Sequence, residues 1–446
     1  MDRKFFMVTF GCQMNEHDSA LIAGILTAGG YTQVESIELA EIVVVNTCCI
    51  RQTAEQKIRS FLGSLKPYAK ASSNFMVVVY GCMVQAEGNA QKLSRFGDYI
   101  GVLAGTFAMG KLPAYIEDFY RTGKKITDIS DDAGNFAGVE GYRPLRKDSL
   151  RAEVRIISGC NNFCSYCIVP YVRGREQSRN PGHILAEIRA LANSGYKEIL
   201  LLGQNVNSFG CDFDTSWTFA RLLKEISAID GIEWIRYMSS HPKDFNDNLL
   251  ETIFSQPKIC KQFHLPLQSG SDRILKEMNR VYTKDFYREL LQKIRSFAQE
   301  ITITTDLIIG FPGETEAEAE ETLGFIKECQ FDAAYTFLYS QRSGTAAALM
   351  DLQIPNKIKK ERLLRLAEAQ NAISLAKNQA LIGKKLRILP EGASKNNKDM
   401  HSARTEGNKI VIFSHNQEEF NKNNNPFLDA TIVKANTWNL FGEIKN

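Results

Sequence analysis

Val154-Arg155-Ile156-Ile157-Ser158-Gly159-Cys160-Asn161-Asn162-Phe163-Cys164-Ser165-Tyr166-Cys167 is the stretch whose reading organises the rest of the chain. Val154–Ser158 has the β-branched, apolar character of a buried strand, and the cysteines after it are spaced C-x3-C-x2-C. Three thiols on one loop at the carboxyl end of a strand suit an iron–sulfur cluster, which normally takes four thiolates. Here one iron is left without a protein ligand, open to a bidentate amino acid such as the methionine end of S-adenosylmethionine (SAM). Zinc would want a fourth Cys or His, and His183, the nearest His downstream, lies well beyond zinc-knuckle spacing.

Outward from this loop the chain reads as an α/β protein. Strands at Val154–Ser158, Glu198–Leu202, Trp234–Met238, Gln262–Leu267, Ile301–Ile309 and Ala334–Tyr339 alternate with helices at Pro181–Asn193, Phe219–Ala228, Asn246–Phe254, Lys284–Phe297 and Glu314–Glu328. Six such units predict a partial (βα)6 barrel over residues 150–378, with its chemistry at the carboxyl ends of the strands. Its last part is the charged amphipathic run Ile358–Lys377, a connector. Before it, Phe5–Phe10, Glu41–Asn46 and Asn74–Tyr80 are mostly apolar. Each is followed by a helical pattern, Asp18–Ala28, Thr53–Leu65 and Gln85–Leu93, which predicts a doubly wound parallel sheet over residues 1–121. Residues 122–149 read as a linker. After Gly383, the short runs Lys385–Leu389, Lys409–Phe413 and Ala430–Ala435 between Asn- and Gly-rich turns predict a small antiparallel β-barrel within residues 379–446.

The 446 residues suffice for two or three domains, and 44% hydrophobic with 24% charged residues is the balance of a globular chain. No apolar run approaches a membrane helix, and the N-terminal Phe5–Val8 stretch is too short for a signal peptide, so the expected location is cytoplasmic. Ten cysteines in that compartment point to metal or redox chemistry rather than disulfides. The net charge of +3 resides wholly after Gln379, where ten Lys and Arg face seven Asp and Glu.

A second cysteine set follows a different logic. Cys12, Cys48 and Cys82 each stand just past one of the three N-terminal strands, and a parallel sheet delivers such positions to one edge. They could meet around one metal centre, with Gly11 and Gly81 allowing close turns; three buried structural cysteines are the alternative. Cys49 should point away from its neighbour in an extended backbone, and Cys211, Cys260 and Cys329 read as ordinary free thiols.

The string Ser158–Arg175, with an aromatic residue, Tyr166, before the last cysteine, resembles the radical SAM methylthiotransferases, and closely the MiaB-type tRNA enzymes. So do Gly11-Cys12-Gln13-Met14-Asn15, Ser239-Ser240-His241-Pro242, His264–Ser271 and Asp306–Thr315. The likeness spans essentially the whole chain. The run Tyr339–Ala346 lacks prolines common in that family, a departure that bears on a substrate-facing loop and touches no cluster ligand. The resemblance implies two 4Fe–4S clusters, one on Cys160, Cys164 and Cys167 and an auxiliary one on Cys12, Cys48 and Cys82. It implies that Tyr166, Gly203, Gln204, Asn205, Ser240, Gln268 and Asp306 are candidates for holding SAM, each with an ordinary turn or strand-end role as the alternative. Among Arg173, Arg175 and Arg179, Arg173 is the one read as functional, pairing with RNA phosphates or a SAM carboxylate.

The terminal barrel resembles a TRAM domain, with Lys385, Arg387, Arg404 and Lys409 as candidate RNA phosphate contacts. Phe413, Phe420 and Trp438 are candidate base-stacking residues for which core packing is the favoured role. The implied reaction converts N6-isopentenyladenosine at position 37 of tRNA to its 2-methylthio derivative. One SAM, reduced at the first cluster, yields a 5′-deoxyadenosyl radical, and a second methylates sulfur held at the other cluster. A C–H bond of an adenine ring is beyond side-chain acid–base chemistry, so a cofactor must carry the step. A flavodoxin- or ferredoxin-type electron donor, a sulfur donor and a monomeric state complete the expectation. Sister enzymes act on threonylcarbamoyladenosine tRNA or a ribosomal protein; Ser240-His241-Pro242 and Ile168-Val169-Pro170-Tyr171 favour the isopentenyl branch. A two-cluster electron-transfer protein is the alternative from a different class.

Overall fold

A computed structural model describes residues 3–49, 52–130, 136, 138–146, 148–213, 216–298, 300–394, 397, 399–414 and 426–444, without the side chains of 52–54. Phe420 lies outside the described residues. The chain falls into two compact units. The first comprises Met1–Ile232, Tyr237–Ser239 and Ser340–Ala348; the second comprises Glu233–Arg236, Ser240–Tyr339 and Leu349–Asn446.

The first unit opens with six strands: β1 (Lys4–Thr9), β2 (Thr32–Gln33), β3 (Ile42–Thr47), β4 (Met76–Gly81), β5 (Ile100–Ala104) and β6 (Ile126–Asp128). They pair in parallel in the order β2-β1-β3-β4-β5-β6. All residues of β3, β4 and β5 are buried because both faces of the sheet are covered. Phe5, Ile42, Val44, Met76, Val78 and Tyr80 pack on one face with Leu21, Ile22, Ile25 and Leu26 of the Gln13–Ala28 helix. Val43, Val45, Val77 and Val79 pack on the other with Ile58, Leu62 and Leu65. The strand order reverses between β1 and β3, and at such a switch point the connections diverge and open a crevice at the carboxyl edge.

Three expectations need correction. Ile126–Asp128 belongs to this sheet, so the supposed linker begins inside it. The first helix starts at Gln13, directly after Cys12, five residues earlier than its apolar periodicity indicates. Gln85–Leu93 is two short helices, Cys82–Gln85 and Asn89–Ser94, parted at Gly88, which adopts φ +70.

The first unit continues with β7 (Arg151–Arg155), β8 (Ile157–Ser158), β9 (Gln177–Ser178) and β10 (Glu198–Leu202). β7 and β10 are parallel, Val154 facing Leu201, and β8 and β9 form an antiparallel ribbon. Strand β11 (Trp234–Tyr237) straddles the two units. In the second unit β12 (Gln262–His264), β13 (Thr302–Ile309) and β14 (Ala333–Leu338) pair in parallel. The helix Glu316–Cys329 starts at a capping box in which Thr315 and Glu318 satisfy each other's backbone N–H groups. The Asn356–Gln379 helix is a packed element rather than a free connector: Lys359, Arg362, Leu366, Gln370, Ser374 and Asn378 are buried along it.

The chain ends in a closed barrel of β15 (Lys385–Ala393), β16 (His401–Thr405), β17 (Ile410–Phe413), β18 (Leu428–Ala435) and β19 (Asn439–Ile444), ordered β15-β16-β17-β19-β18. Its pairs are antiparallel except β17 with β19, which run parallel, so the expectation of a wholly antiparallel barrel is corrected at that one seam. Ile388, Ala403, Val411, Phe413, Ala430, Ile432 and Leu440 fill its interior.

Within the first unit, Glu153 of β7 sits near Glu16. Burial and then that like charge push its carboxyl up to about 7. Folded chains therefore hold a proton that unfolded chains release above about pH 4.5, and stability falls as pH rises through that window and levels off above 7. Glu153→Gln should gain about 1–2 kcal/mol over the parent at pH 8 and nothing below pH 4.5. Urea midpoints at the two pH values measure the difference.

Candidate cluster sites

Each motif cysteine is placed by a strand end. Ser158 closes β8 and Gln177 opens β9, and these two pair, so the intervening cysteine loop is a closed excursion from a ribbon. At Gly159, φ is +80 and a Cβ would fall 1.9 Å from the Arg175 carbonyl oxygen, which only glycine permits. The Cys160 N–H donates to the Gly174 carbonyl at 3.1 Å and the Cys167 N–H to that of Cys164 at 2.9 Å. Asn162 Nδ2 donates to Cys160 Sγ at 3.4 Å. Phe163 sits at φ +46, its ring against Tyr171 and under the Arg175 guanidinium. Cys164 is buried, Cys160 and Cys167 half-buried. Burial pushes the Cys160 thiol above its ordinary value.

Cys12, Cys48 and Cys82 follow β1, β3 and β4, three adjacent strands flanking the switch point. Asn15 ties two of these ends together: its Nδ2 donates to the Phe10 and Thr47 carbonyls, each at 2.9 Å, and its Oδ1 accepts from the Cys12 thiol at 3.7 Å. A Cβ on Gly11, at φ +136, would come within 2.8 Å of Cys48 Cβ. Gly81, at φ +108, would clash with Asn46 and Thr47. Both glycines let neighbouring strand ends approach.

Among the described residues no three His, Cys, Asp or Glu side chains close around a single metal ion. A cubane binds each thiolate to a different iron, so its ligands stand apart by the width of the cluster. Both cysteine sets fit such a group by donor chemistry: three thiols each, at a strand edge, with glycine-cleared backbone around them.

Beneath the N-terminal thiols lies a buried charge network. Asp18 is fully buried, and its carboxylate accepts from Arg173 at 2.7 Å and from Arg155 at 3.5 Å. Burial pushes this carboxyl up, but Arg173, the His17 hydrogen bond and Arg155 outweigh it and hold it well below the carboxylate range. Arg173 is only 5% exposed and also donates to Asn15 Oδ1 at 3.1 Å. Its assignment to RNA is thus corrected: it is spent on the protein interior. The expectation for Cys49 is corrected too. It lies beyond the end of β3, where strand alternation no longer applies, and it is buried in the same core cluster as Cys82. The neighbouring Cys49 thiol and Arg173, opposed by burial, hold the Cys82 thiol below its usual range.

The candidate SAM residues divide. In the first unit, Gly203 is a packing position whose Cβ would meet Ile157 at 2.3 Å. Gln204 Oε1 accepts from the Gly159 N–H at 2.7 Å and so clamps the cysteine loop. Asn205 is buried and Tyr166 half-buried. In the second unit, Ser240 Oγ and Gln268 Oε1 are buried polar atoms without a hydrogen-bond partner among the described residues. Gln268 also holds the uncommon φ of +71, as Ser239 in the first unit holds +67. An unsatisfied buried oxygen and a positive φ thus coincide at Gln268. Asp306, half-exposed on β13, has an oxygen 3.5 Å from His264 Nε2, and His264 Nδ1 lies 3.0 Å from Thr304 Oγ1. His264 and Asp306 each open a motif run, but their pairing follows from neighbouring strands and is not legible in the sequence.

On the small barrel, Lys409 is corrected as a free phosphate contact: its ammonium is half-buried against Asp332 and Asn378. Arg387 pairs with Glu233 and stacks on Phe427, Arg404 pairs with Glu391, and Lys385 is exposed beside Asp429. Phe413 is core, as favoured, whereas Trp438 is 65% exposed in the turn between β18 and β19.

Residues 4–105 match the uncharacterized protein family UPF0004, and residues 154–326 the radical SAM superfamily. The chain is 45% identical over 443 residues to a tRNA-2-methylthio-N(6)-dimethylallyladenosine synthase of Clostridium novyi (strain NT), covering 99% of this chain and 97% of that one. Enzymes of the same description from Natranaerobius thermophilus and Moorella thermoacetica are each 44% identical over 442 residues, covering 99% of this chain and 97% and 98% of theirs. The radical SAM methyltransferase TsrM from Kitasatospora setae, solved with cobalamin and a [4Fe-4S] cluster, shares the fold. Its TM-score is 0.56 at 13% identity, over 78% of this chain and 77% of that one.

Asp18→Ala should destabilise the protein by about 3–5 kcal/mol, because it strands two buried guanidiniums. Denaturant midpoints of the metal-free protein test this, and a change below about 1 kcal/mol would remove Asp18 from the centre of the network.

Proposed function

We propose the following division of labour for a chain that belongs to the family of tRNA-2-methylthio-N(6)-dimethylallyladenosine synthases. The protein is a radical SAM methylthiotransferase that makes the 2-methylthio derivative of N6-isopentenyladenosine in tRNA. It uses a 4Fe–4S cluster and SAM. The observation that carries the detailed reading is the presence of two three-thiol sets, one past the ends of three parallel strands and one on the loop that joins β8 to β9.

Cys160, Cys164 and Cys167 hold the first cluster, and Cys12, Cys48 and Cys82 hold a second. When bound, these groups supply the electron for SAM cleavage and a site for the sulfur to be inserted. Gly159 and Gln204 keep the Cys160–Cys167 loop in shape for its cluster. Ser240 and Gln268 present polar atoms to SAM, supported by the unpartnered Ser240 Oγ and Gln268 Oε1, and Asp306 on β13 stands beside His264 on β12. Tyr166 flanks the cluster as the aromatic residue beside the adenine, and Gly203 and Asn205 line the turn after β10. A flavodoxin- or ferredoxin-type protein provides the electron and a separate donor the sulfur. The chain works in the cytoplasm as a monomer; among the described residues no helix is long and apolar enough to cross a membrane. Residues 379–446 act as a TRAM-like RNA-binding module, following the barrel domain of 150–378 and the N-terminal domain, whose sheet runs to β6 (Ile126–Asp128). Lys385, Arg387 and Arg404 contribute positive charge there. Trp438 offers an exposed ring for a base to stack on.

Anaerobically reconstituted protein should hold about eight irons per chain. Alanine at Cys12, Cys48 or Cys82 should leave reductive SAM cleavage intact and abolish sulfur insertion; alanine at Cys160, Cys164 or Cys167 should abolish both. Mass spectrometry of tRNA nucleosides from a strain lacking the gene should show isopentenyladenosine without its methylthio form; an unchanged methylthio signal sinks the substrate assignment. Trp438→Ala should weaken tRNA binding by about 1–3 kcal/mol, roughly 5- to 150-fold, at fixed salt. Unchanged affinity in a filter-binding assay would make the ring a bystander.

A further inference from the structure

The residue that the sequence offered to RNA has a different place. Arg173 ends the Val169–Arg173 helix, which begins two residues after Cys167. That helix packs into the core beneath the N-terminal sheet through Val172, and Thr106 Oγ1 donates to the Val172 carbonyl at 2.5 Å. From its end the buried guanidinium donates to Asp18 Oδ2 at 2.7 Å and to Asn15 Oδ1 at 3.1 Å. Asn15 is the residue that joins the strand ends before Cys12 and Cys48 and accepts from the Cys12 thiol. The charge of Arg173 also acts on Cys82 and Cys12 as neighbours of opposite sign.

Thiolates in a buried crevice need a countercharge, since unpaired charge away from water costs several kcal/mol per ion. A planar fork can serve two acceptors at fixed angles, which an ammonium cannot. We propose that Arg173 is a positioning residue for the N-terminal cluster: held by Asp18, its guanidinium fixes the Cys12 and Cys48 strand ends through Asn15, and its charge balances the thiolates of Cys12, Cys48 and Cys82. This rests on the reading that those three thiols hold a cluster. Reduction adds negative charge to a cluster, so a guanidinium beside the ligands favours the reduced form and raises the potential. The same residue is tied by five residues of chain to Cys167, which gives the two cysteine sets a common anchor.

The test uses the full chain with Cys160→Ala, Cys164→Ala and Cys167→Ala, so that only the N-terminal site can load. After anaerobic reconstitution with iron and sulfide, iron per chain and the midpoint of an EPR-monitored redox titration are read for this parent, for added Arg173→Met and for added Arg173→Lys. The parent should hold about four irons. The methionine variant should load less iron and its cluster should titrate at a lower potential, with the lysine variant between. Parent iron content and parent potential in both variants would overturn the proposal. So would lost iron with an unshifted potential in the remaining cluster, since that is the mark of a merely structural residue. If Arg173→Met fails to fold, Arg173→Lys decides alone: a lowered potential supports the proposal and the parent's value overturns it. A parent without iron instead refutes the N-terminal cluster itself.

Discussion

One buried carboxylate, Asp18, organises the first unit. It rises from the helix that starts immediately after Cys12 and takes hydrogen bonds from two guanidiniums that come from opposite sides of a cysteine loop, Arg155 before it and Arg173 after it. Burying one acid and two bases is costly, and the attraction between them offsets the desolvation only when the geometry is good. What such a cluster confers is register. The helix that carries Asp18 and Asn15, the end of β7 that carries Arg155 and the short helix that carries Arg173 have one mutual arrangement in which every charge is matched.

Around that anchor the chain uses glycine where a side chain would keep strand ends apart. Gly11 and Gly81 have φ values that L-residues avoid, and both stand just before a cysteine at the carboxyl edge of the sheet. Gly159 does the same before Cys160, with the Arg175 carbonyl taking the space of its missing Cβ. Phe163, inside the cysteine loop, is a non-glycine residue with a positive φ, +46. Strain of this kind persists only where the surroundings fix it, and it marks backbone bent to a functional purpose.

In the second unit the ties are longer in sequence. Arg236 donates to Gln262 of β12 at 3.0 Å and to the Thr405 and Glu406 carbonyls at the end of β16, at 2.7 and 2.5 Å. Trp234 packs edge-on to Phe427, and Asp332 takes both Lys377 and Lys409. Lys409, Arg387 and Arg404, which a linear reading would offer to RNA, are likewise ion-paired within this unit, and the exposed surface of the barrel is defined more by Lys385 and Trp438 than by the net charge of the segment.

By itself the sequence determined the alternation of strands and helices, the C-x3-C-x2-C loop and the placement of Cys12, Cys48 and Cys82 past strand ends. Continuous apolar runs such as Ile42–Val45 and cysteine spacing are local signals, legible without knowing any neighbour. It missed β5, β6, β16 and β19, whose glycines, charges or brevity weaken the pattern that tertiary pairing then completes. Only the tertiary structure decided that Arg173 points inward, that Cys49 reaches Cys82 and that Trp438 stays in solvent. Each outcome depends on which residues, distant in sequence, share a crevice, and long-range packing rather than local propensity sets that.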